Sequence, residues 1–593
     1  MRPINITIQK KGIIMSLTGA GAFLAMLCVP FFIHYPMNDN YLQLYPISLG
    51  IGVVSVVACI FSFIKGNGFR FCLPDFLFLA LIAYYIIRYD HTLQLANWKV
   101  TFALLSMPLW FGSRIILSHH SVSKQWISGS IVAVGCMVAV WGLLQLYGHL
   151  PSNHNLFAIT GPFYNPGPYS GYIAIISCIA LGCWLQSTGF ARYIWFAAMA
   201  LMGCILPAGM SRSAWLSIFA SSLWMLTLHF QWHKHLKSFF KQHPYKGISA
   251  VVVLGISLCI GSYLIFQMKS DSAYGRLFIW KNTCTAISDA PLFGHGPGSF
   301  PMVYGKAQAE YFAKGKYTET EEKVAGSPEY AFNEILQSGV EGGIILILLG
   351  SAFFFVNFNA RYTKGNKAYR SALITAFCFS LFSYPLQILP VAMLLLLIAS
   401  INVDGESAKS TKRIIPLLSS IIMCLSLGVI YTLRNTNNYQ EYWYKSDILY
   451  ANKDYKEASK GYEMLYNQFK HNPNFLFTYA KSLIAQKEYF KADRILKRLQ
   501  KVSCSPMSYC VQGNNYLEIK DYKKAEKAYL EAQSLLLGRI YPYYLLAKLY
   551  AIPEYKNERK MKEMGNVVLH KKPKVQSNAI EEMRNEINKL MNF

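Results

Sequence analysis

Apolar blocks of about 20 residues recur from residue 12 to residue 432, each long enough to cross a hydrocarbon layer some 30 Å thick. They fall near 12–34, 44–64, 71–88, 98–118, 126–147, 169–187, 190–207, 212–230, 247–267, 333–358, 369–384, 386–401 and 413–432. A chain built this way satisfies its backbone in lipid by forming helices. The expected fold is all-α: a polytopic membrane helix bundle of about 13 spans. Charged residues make up only 15% of the chain, against roughly 25% in a soluble domain, and mean hydropathy is positive at +0.25. Disorder, collagen and a small disulfide scaffold are thereby excluded. The first block follows Lys10 and Lys11 but has no small-residue cleavage site, so it reads as a retained anchor.

Lys and Arg number 57 against 31 Asp and Glu. From Tyr439 onward there are 27 basic and 17 acidic residues; the remaining surplus sits mostly in short loops. Loop charge that sets topology is the simpler cause than nucleic-acid binding, which is not expected. Basic residues occupy every second loop: Arg2, Lys10 and Lys11; Lys65 and Arg70; Arg114 and Lys124; Arg192; Lys234, Lys237, Lys241 and Lys246; Arg361, Lys364, Lys367 and Arg370; Lys409, Lys412 and Arg413. Those loops and the N-terminus are assigned to the cytoplasm. Loops 35–43, 89–97, 148–168, 208–211 and the large 268–332 then face outward, as does everything beyond residue 432. The 13 cysteines show neither a CxxC pair nor zinc spacing. Cys504 and Cys510 could pair in an oxidising compartment, although buried helix-face thiols are the simpler reading. His119-His120 and His233-Lys234-His235 read as cationic loop residues rather than metal ligands.

The segment after residue 435 carries a repeat. Asp454-Tyr455-Lys456-Glu457-Ala458 recurs as Glu488-Tyr489-Phe490-Lys491-Ala492 and Asp521-Tyr522-Lys523-Lys524-Ala525, with tyrosines 34 and 33 residues apart. Pro473, Pro506 and Pro542 punctuate nearly the same period. The pattern resembles tetratricopeptide repeats, helix pairs that stack into an α-solenoid with a protein-binding concave face. The expected domains are a transmembrane unit, 1–435, and a repeat unit, 439–593; a purely structural cap is the alternative role for the latter.

Unusual residues collect on the outward side. Gly161-Pro162-Phe163-Tyr164-Asn165-Pro166-Gly167 demands a fixed turn above the bilayer, where Asn165 could bind a sugar or phosphate or simply close an Asx turn. Arg212, in Gly209-Met210-Ser211-Arg212-Ser213-Ala214-Trp215, begins a span on the side where arginine is least expected. It is either a topological anchor or part of an anion clamp at a helix N-terminus. Arg276 and Trp280, four residues apart, share a helix face that offers a charge and a stacking plane. Pro291-Leu292-Phe293-Gly294-His295-Gly296-Pro297-Gly298-Ser299-Phe300 would let backbone approach a ligand closely. Glu329-Tyr330-Ala331-Phe332-Asn333-Glu334 precedes the next span.

Taken in order, an Asn-containing Gly/Pro loop, an outward Ser-Arg, Arg-x-x-x-Trp, Pro-x-x-Gly-x-Gly-Pro-Gly-x-Phe and an Asn ahead of a span resemble the O-antigen ligase and polymerase superfamily. That superfamily includes bacterial protein O-oligosaccharyltransferases. The resemblance covers residues 150–350 in motifs and 10–435 in architecture. It implies a GT-C-like, metal-independent glycosyltransferase of the bacterial inner membrane, without a cofactor. Such an enzyme moves a glycan from undecaprenyl diphosphate to an acceptor on the outer, periplasmic face. It further implies that Arg212 and Arg276 bind the diphosphate, with Trp280, Asn165 and Asn333 as further substrate contacts. Members commonly carry a His-Asn pair before the span after the large loop, the histidine being the proposed base. Here the pair is Phe332-Asn333, so the base must be sought among Glu329, His295 and Glu334. The acceptor could be protein Ser or Thr, slightly favoured by the appended repeats, or lipid A-core, or a growing polymer. The repeats could equally recruit a protein partner. A transporter of lipid-linked glycan and a catalytically silent envelope scaffold are the non-enzyme alternatives.

Overall fold

The computed structural model describes residues 4–33, 39–64, 71–90, 97–119, 122–267, 270–359, 367–403 and 414–591. Among these there is helix and turn but no strand. Arg2, Lys65, Arg70, His120, Arg361, Lys364, Lys409, Lys412 and Arg413, used above to assign the loops, lie outside the described residues.

Each apolar block forms a helix, yet only seven helices among the described residues are long and apolar enough to cross a membrane. These include Asn40–Phe63, Lys124–Leu146, Pro166–Gln186 and Glu334–Phe358. Length separates some of the others. Lys367–Ser380 and Leu389–Asn402 have 14 residues each, about 21 Å of helix at 1.5 Å per residue. They are divided by a turn holding the short 3-10 segment Pro385–Gln387, and Pro385 and Pro390 each open a new helical turn, where a missing N–H costs nothing.

Two loop assignments change. Arg114 lies within the Asn97–Leu117 helix, buried in an ion pair with Asp75, which also accepts from the Trp110 indole at 2.8 Å. It is a paired core charge, because an unpaired one there would be prohibitively desolvated. His119 is likewise no solvated loop cation: it is buried, with Nε2 2.9 Å from the Phe61 carbonyl oxygen. Residues 270–332 are largely helical, with helices Ser270–Asp289, Phe300–Ala313 and Glu319–Val324.

Beyond residue 435, nine helices from Thr436–Ala451 to Asn578–Met591 each pack on the next. The repeated pentapeptides start alternate helices with one geometry. Lys453, Lys487 and Lys520 adopt left-handed backbone (φ 65°, 63° and 59°), the following acid sits at the N-cap, and Ala458, Ala492 and Ala525 are fully buried. An alanine there lets neighbouring helices approach. Cys504 and Cys510 remain separate buried thiols, whose burial pushes both up to about 12.

These helices are not held at arm's length. Leu42, in the first turn of Asn40–Phe63, is buried in one cluster with Trp443, Phe469 and Phe475, and the Asn472 amide donates to Asp39. The Gln308 amide donates to the Leu535 carbonyl at 2.7 Å, and Lys571 pairs with Glu322. The C-terminal helices thus rest on both the 39–43 and the 300–330 regions.

Candidate active site

The segment 329–333 is the hub. Asn333 caps the Glu334–Phe358 helix, its side-chain oxygen accepting from the Ile335 and Leu336 amides at 2.9 and 3.1 Å. Its amide donates to the Leu381 carbonyl at 3.1 Å. Ala331 is fixed on both sides: its N–H donates to Gln337 Oε1 at 2.9 Å and its carbonyl accepts from the Trp280 indole at 3.0 Å. Between these anchors Phe332 is forced to φ 53°, a left-handed conformation unusual for an aromatic residue. Strain of this kind persists only where the surroundings dictate it.

The strained Phe332 presents its ring to Arg276, whose guanidinium carbon lies 5.5 Å from the ring centroid. Burial and the nearby charge of Arg212 both lower the Arg276 pKa, with Tyr384 opposing them. Two guanidiniums that sense each other repel, and an anion between them would relieve the repulsion. Tyr384 meets the Phe332 ring edge-on at 5.2 Å and stacks on Tyr330 at 4.7 Å. Beyond Tyr330 comes Glu329, whose carboxyl is ringed by protein yet open to solvent. Burial raises its pKa above the usual carboxylate range, and the Asp39 charge adds to the effect.

Glu329, Tyr330, Tyr384 and Asn165 line one cavity of about 580 Å³. Asn165 has a structural duty there as well, capping the Pro166–Gln186 helix through the Gly167 amide at 2.8 Å. A second cavity of about 460 Å³, walled mainly by Phe, Leu and Ile side chains, lies alongside; Trp98, Lys99 and Gln337 line both. At this shared wall Lys99 Nζ sits 2.6 and 2.7 Å from the two Glu341 oxygens, while the Gln337 amide donates to Glu341 at 2.7 Å. Both members of the ion pair are buried. Replacing Lys99 by methionine would strand the Glu341 carboxylate, at a cost of about 3–5 kcal/mol. Thermal unfolding of the purified protein should show that loss, largely recovered when Glu341→Leu is added to Lys99→Met.

Several residues singled out from the sequence serve elsewhere. The His295 ring bonds the Ala286 carbonyl oxygen at 3.0 Å; like Arg212 and Arg276 it is absent from the lining of the Glu329 cavity. Glu334 is buried, accepting from the Leu386 amide at 2.7 Å and the Gln387 amide at 3.0 Å, so it clamps the 385–387 turn. Trp280 gives its indole N–H to Ala331; Phe332 supplies the aromatic face over Arg276 instead. Asn333 is spent on capping and is likewise absent from the lining.

The glycine run packs closely on protein at Gly294, while Gly298 lines the cavity of Glu329. Gly343 breaks the Glu334–Phe358 helix at φ 64°, and the carbonyls freed there accept from His295 N at 2.7 Å (Val340) and Gly296 N at 2.9 Å (Glu341). A Cβ on Gly294 (φ 63°) would lie 2.5 Å from the Gly342 nitrogen. Gly294→Ala therefore adds a backbone clash to about 1–2 kcal/mol of left-handed strain. Thermal unfolding should report it as a destabilised protein. The residues that sequence reasoning missed, Asp39, Lys99, Glu341, Tyr384 and His471, come from widely separated segments, and no motif joins them.

Comparison with known families adds a further observation. Residues 197–350 match the O-antigen ligase family. No curated protein matches the chain. The matched segment includes Arg212, Arg276, Glu329 and the strained Phe332. It supports a multi-pass membrane glycosyltransferase of ligase or polymerase type, acting on a lipid-linked glycan donor and an acceptor.

Proposed function

We propose that the protein transfers a glycan en bloc from undecaprenyl diphosphate to an acceptor hydroxyl on the periplasmic face of the bacterial inner membrane. The observation that carries this reading is that Arg276 feels the charge of Arg212 and lies over Phe332, whose ring meets Tyr384 in the wall of the Glu329 cavity. A diphosphate is already a good leaving group. What remains for the enzyme is to neutralise its charge, which paired guanidiniums do well, and to take a proton from the acceptor. Glu329 is assigned the proton transfer, because a carboxylate with a raised pKa is a better base than an ordinary one. His295 and Glu334 are set aside because both are committed to structural hydrogen bonds. The apolar cavity beside Trp98 and Lys99 suits the polyprenyl tail.

The same reading takes the chain as crossing the membrane about 13 times, with the N-terminus cytoplasmic and a periplasmic tetratricopeptide-like unit over 439–593. Protein Ser or Thr is slightly preferred as acceptor because repeat surfaces often hold polypeptide. Lipid A-core and a growing polysaccharide remain the other two acceptors for the assay. That assay supplies membranes with labelled undecaprenyl-diphosphate glycan and each acceptor in turn. Label on protein identifies an oligosaccharyltransferase, label on lipid A-core a ligase, and a lengthening ladder a polymerase. Absence of label everywhere, with folded protein and intact donor, would overturn the enzyme reading in favour of a scaffold.

A further inference from the structure

The cavity at Glu329 is not walled by the family-matched segment alone. Asp447, His471 and Asn474, all from the C-terminal helices, line it opposite Glu329, Tyr330 and Tyr384. Its polar groups are mostly carboxylates and side-chain amides, with Asn40, Gln43 and Asn165 beside the acids and Lys99, His154 and His471 among them, and its accessible rings include Tyr164, Tyr330 and Tyr384. Such a lining suits a ligand that both donates and accepts many hydrogen bonds and has apolar C–H faces to lay on aromatic rings. One wall residue has hydrogen-bonding capacity to spare. The His471 side chain is only 6% exposed; its Nε2 lies against the Asp39 carboxylate at 3.6 Å, and its Nδ1 has no hydrogen-bond partner. A buried polar group left this way costs stability unless something arrives to pair with it. The cavity volume, about 580 Å³, lies within the range of small-molecule sites.

We infer that this cavity is a saccharide subsite built jointly by the two halves of the chain, with Asp447, His471 and Asn474 setting which sugar is accepted. The inference rests on the glycosyltransferase reading and deepens it: sugar selectivity lies partly outside residues 197–350. The sugar could belong to the donor glycan or to a sugar-bearing acceptor, since both bring the same chemistry to Glu329.

The test uses the full chain in membranes, with undecaprenyl-diphosphate glycan extracted from the source cells as donor and lipid A-core or a Ser/Thr-containing protein as acceptor. Asn474→Ala is exposed and leaves the core intact, while Asp447→Asn keeps the side-chain oxygen that accepts from Tyr462. Each is expected to raise one KM by about 3- to 10-fold, the size of a lost hydrogen bond, with kcat retained. A raised donor KM places the donor glycan in the cavity; a raised KM for lipid A-core alone places the acceptor sugar there. A raised KM only for the protein acceptor, or no KM change in folded variants, would overturn the subsite while wild-type transfer keeps the parent reading intact. Absence of transfer by the wild type would remove that reading and the subsite with it.

Discussion

Arg276→Ala is expected to lower the rate of glycan transfer by about 10²–10³-fold while the protein still reaches the membrane and folds. The guanidinium lies over the Phe332 ring and within reach of the Arg212 charge, so its removal takes away half of the proposed diphosphate clamp. The loss should fall mainly on kcat, because negative charge grows on the diphosphate as its bond to the sugar breaks. Arg276→Lys should rescue little. A lysine ammonium keeps the charge but cannot grip two phosphate oxygens with a planar fork. The measurement is transfer of labelled glycan, normalised to the amount of folded protein. Retained transfer in Arg276→Ala would remove the arginine pair from the mechanism.

Glu329→Gln should cost about 10²–10⁴-fold if this carboxylate is the general base. The pH profile is the sharper readout. Burial and Asp39 raise the Glu329 pKa above the ordinary carboxylate value of 4.5. Below that raised value the carboxyl is protonated and cannot accept the acceptor's proton; above it, it can. Transfer should therefore climb with pH along an acid limb centred above 4.5, and the residual activity of Glu329→Gln should lack that limb. An Asp39→Asn variant removes the like charge and should move the limb to lower pH. A limb that survives unaltered in Glu329→Gln would assign the proton transfer to another group.

Much of the fold was legible in the chain because lipid imposes one simple rule on it. Every apolar block became a helix, most of them with ends within a few residues of the block. Helix length was harder to read: the blocks 369–384 and 386–401 ran on into the 381–388 turn, and the helices they form have only 14 residues each. Of the candidate site, Arg212 stood out as an arginine on the outward side and Arg276 by sharing a face with Trp280, while Glu329 was sought because Phe332 holds the place of the histidine that the resemblance implies. The glycine run shows where sequence falls short: close backbone approach was the right physics, but at Gly294 the partner is the kinked helix at Gly343, which no sequence window includes. Lys99, Glu341, Tyr384 and His471 were invisible for the same reason, being joined only by tertiary packing. Phe332 marks the limit most clearly. Its sequence identity suggested a lost base, whereas its strained backbone and its ring beneath Arg276 give it a part in holding the arginine.

The packing of the C-terminal helices against Leu42 and Asp39 bears on how such a chain can be recombined. A half that supplies one wall of the cavity is not a detachable cartridge. Ending the chain at residue 435 would uncover Leu42, deprive Asp39 of Asn472 and open the cavity on one side. Chimeras joining this membrane unit to a foreign helical array would inherit the arginine pair intact but a mismatched lid. Successful exchange would therefore have to carry the 39–43 and 300–330 contact surfaces along with the array, so the heritable unit of specificity is a seam between the halves.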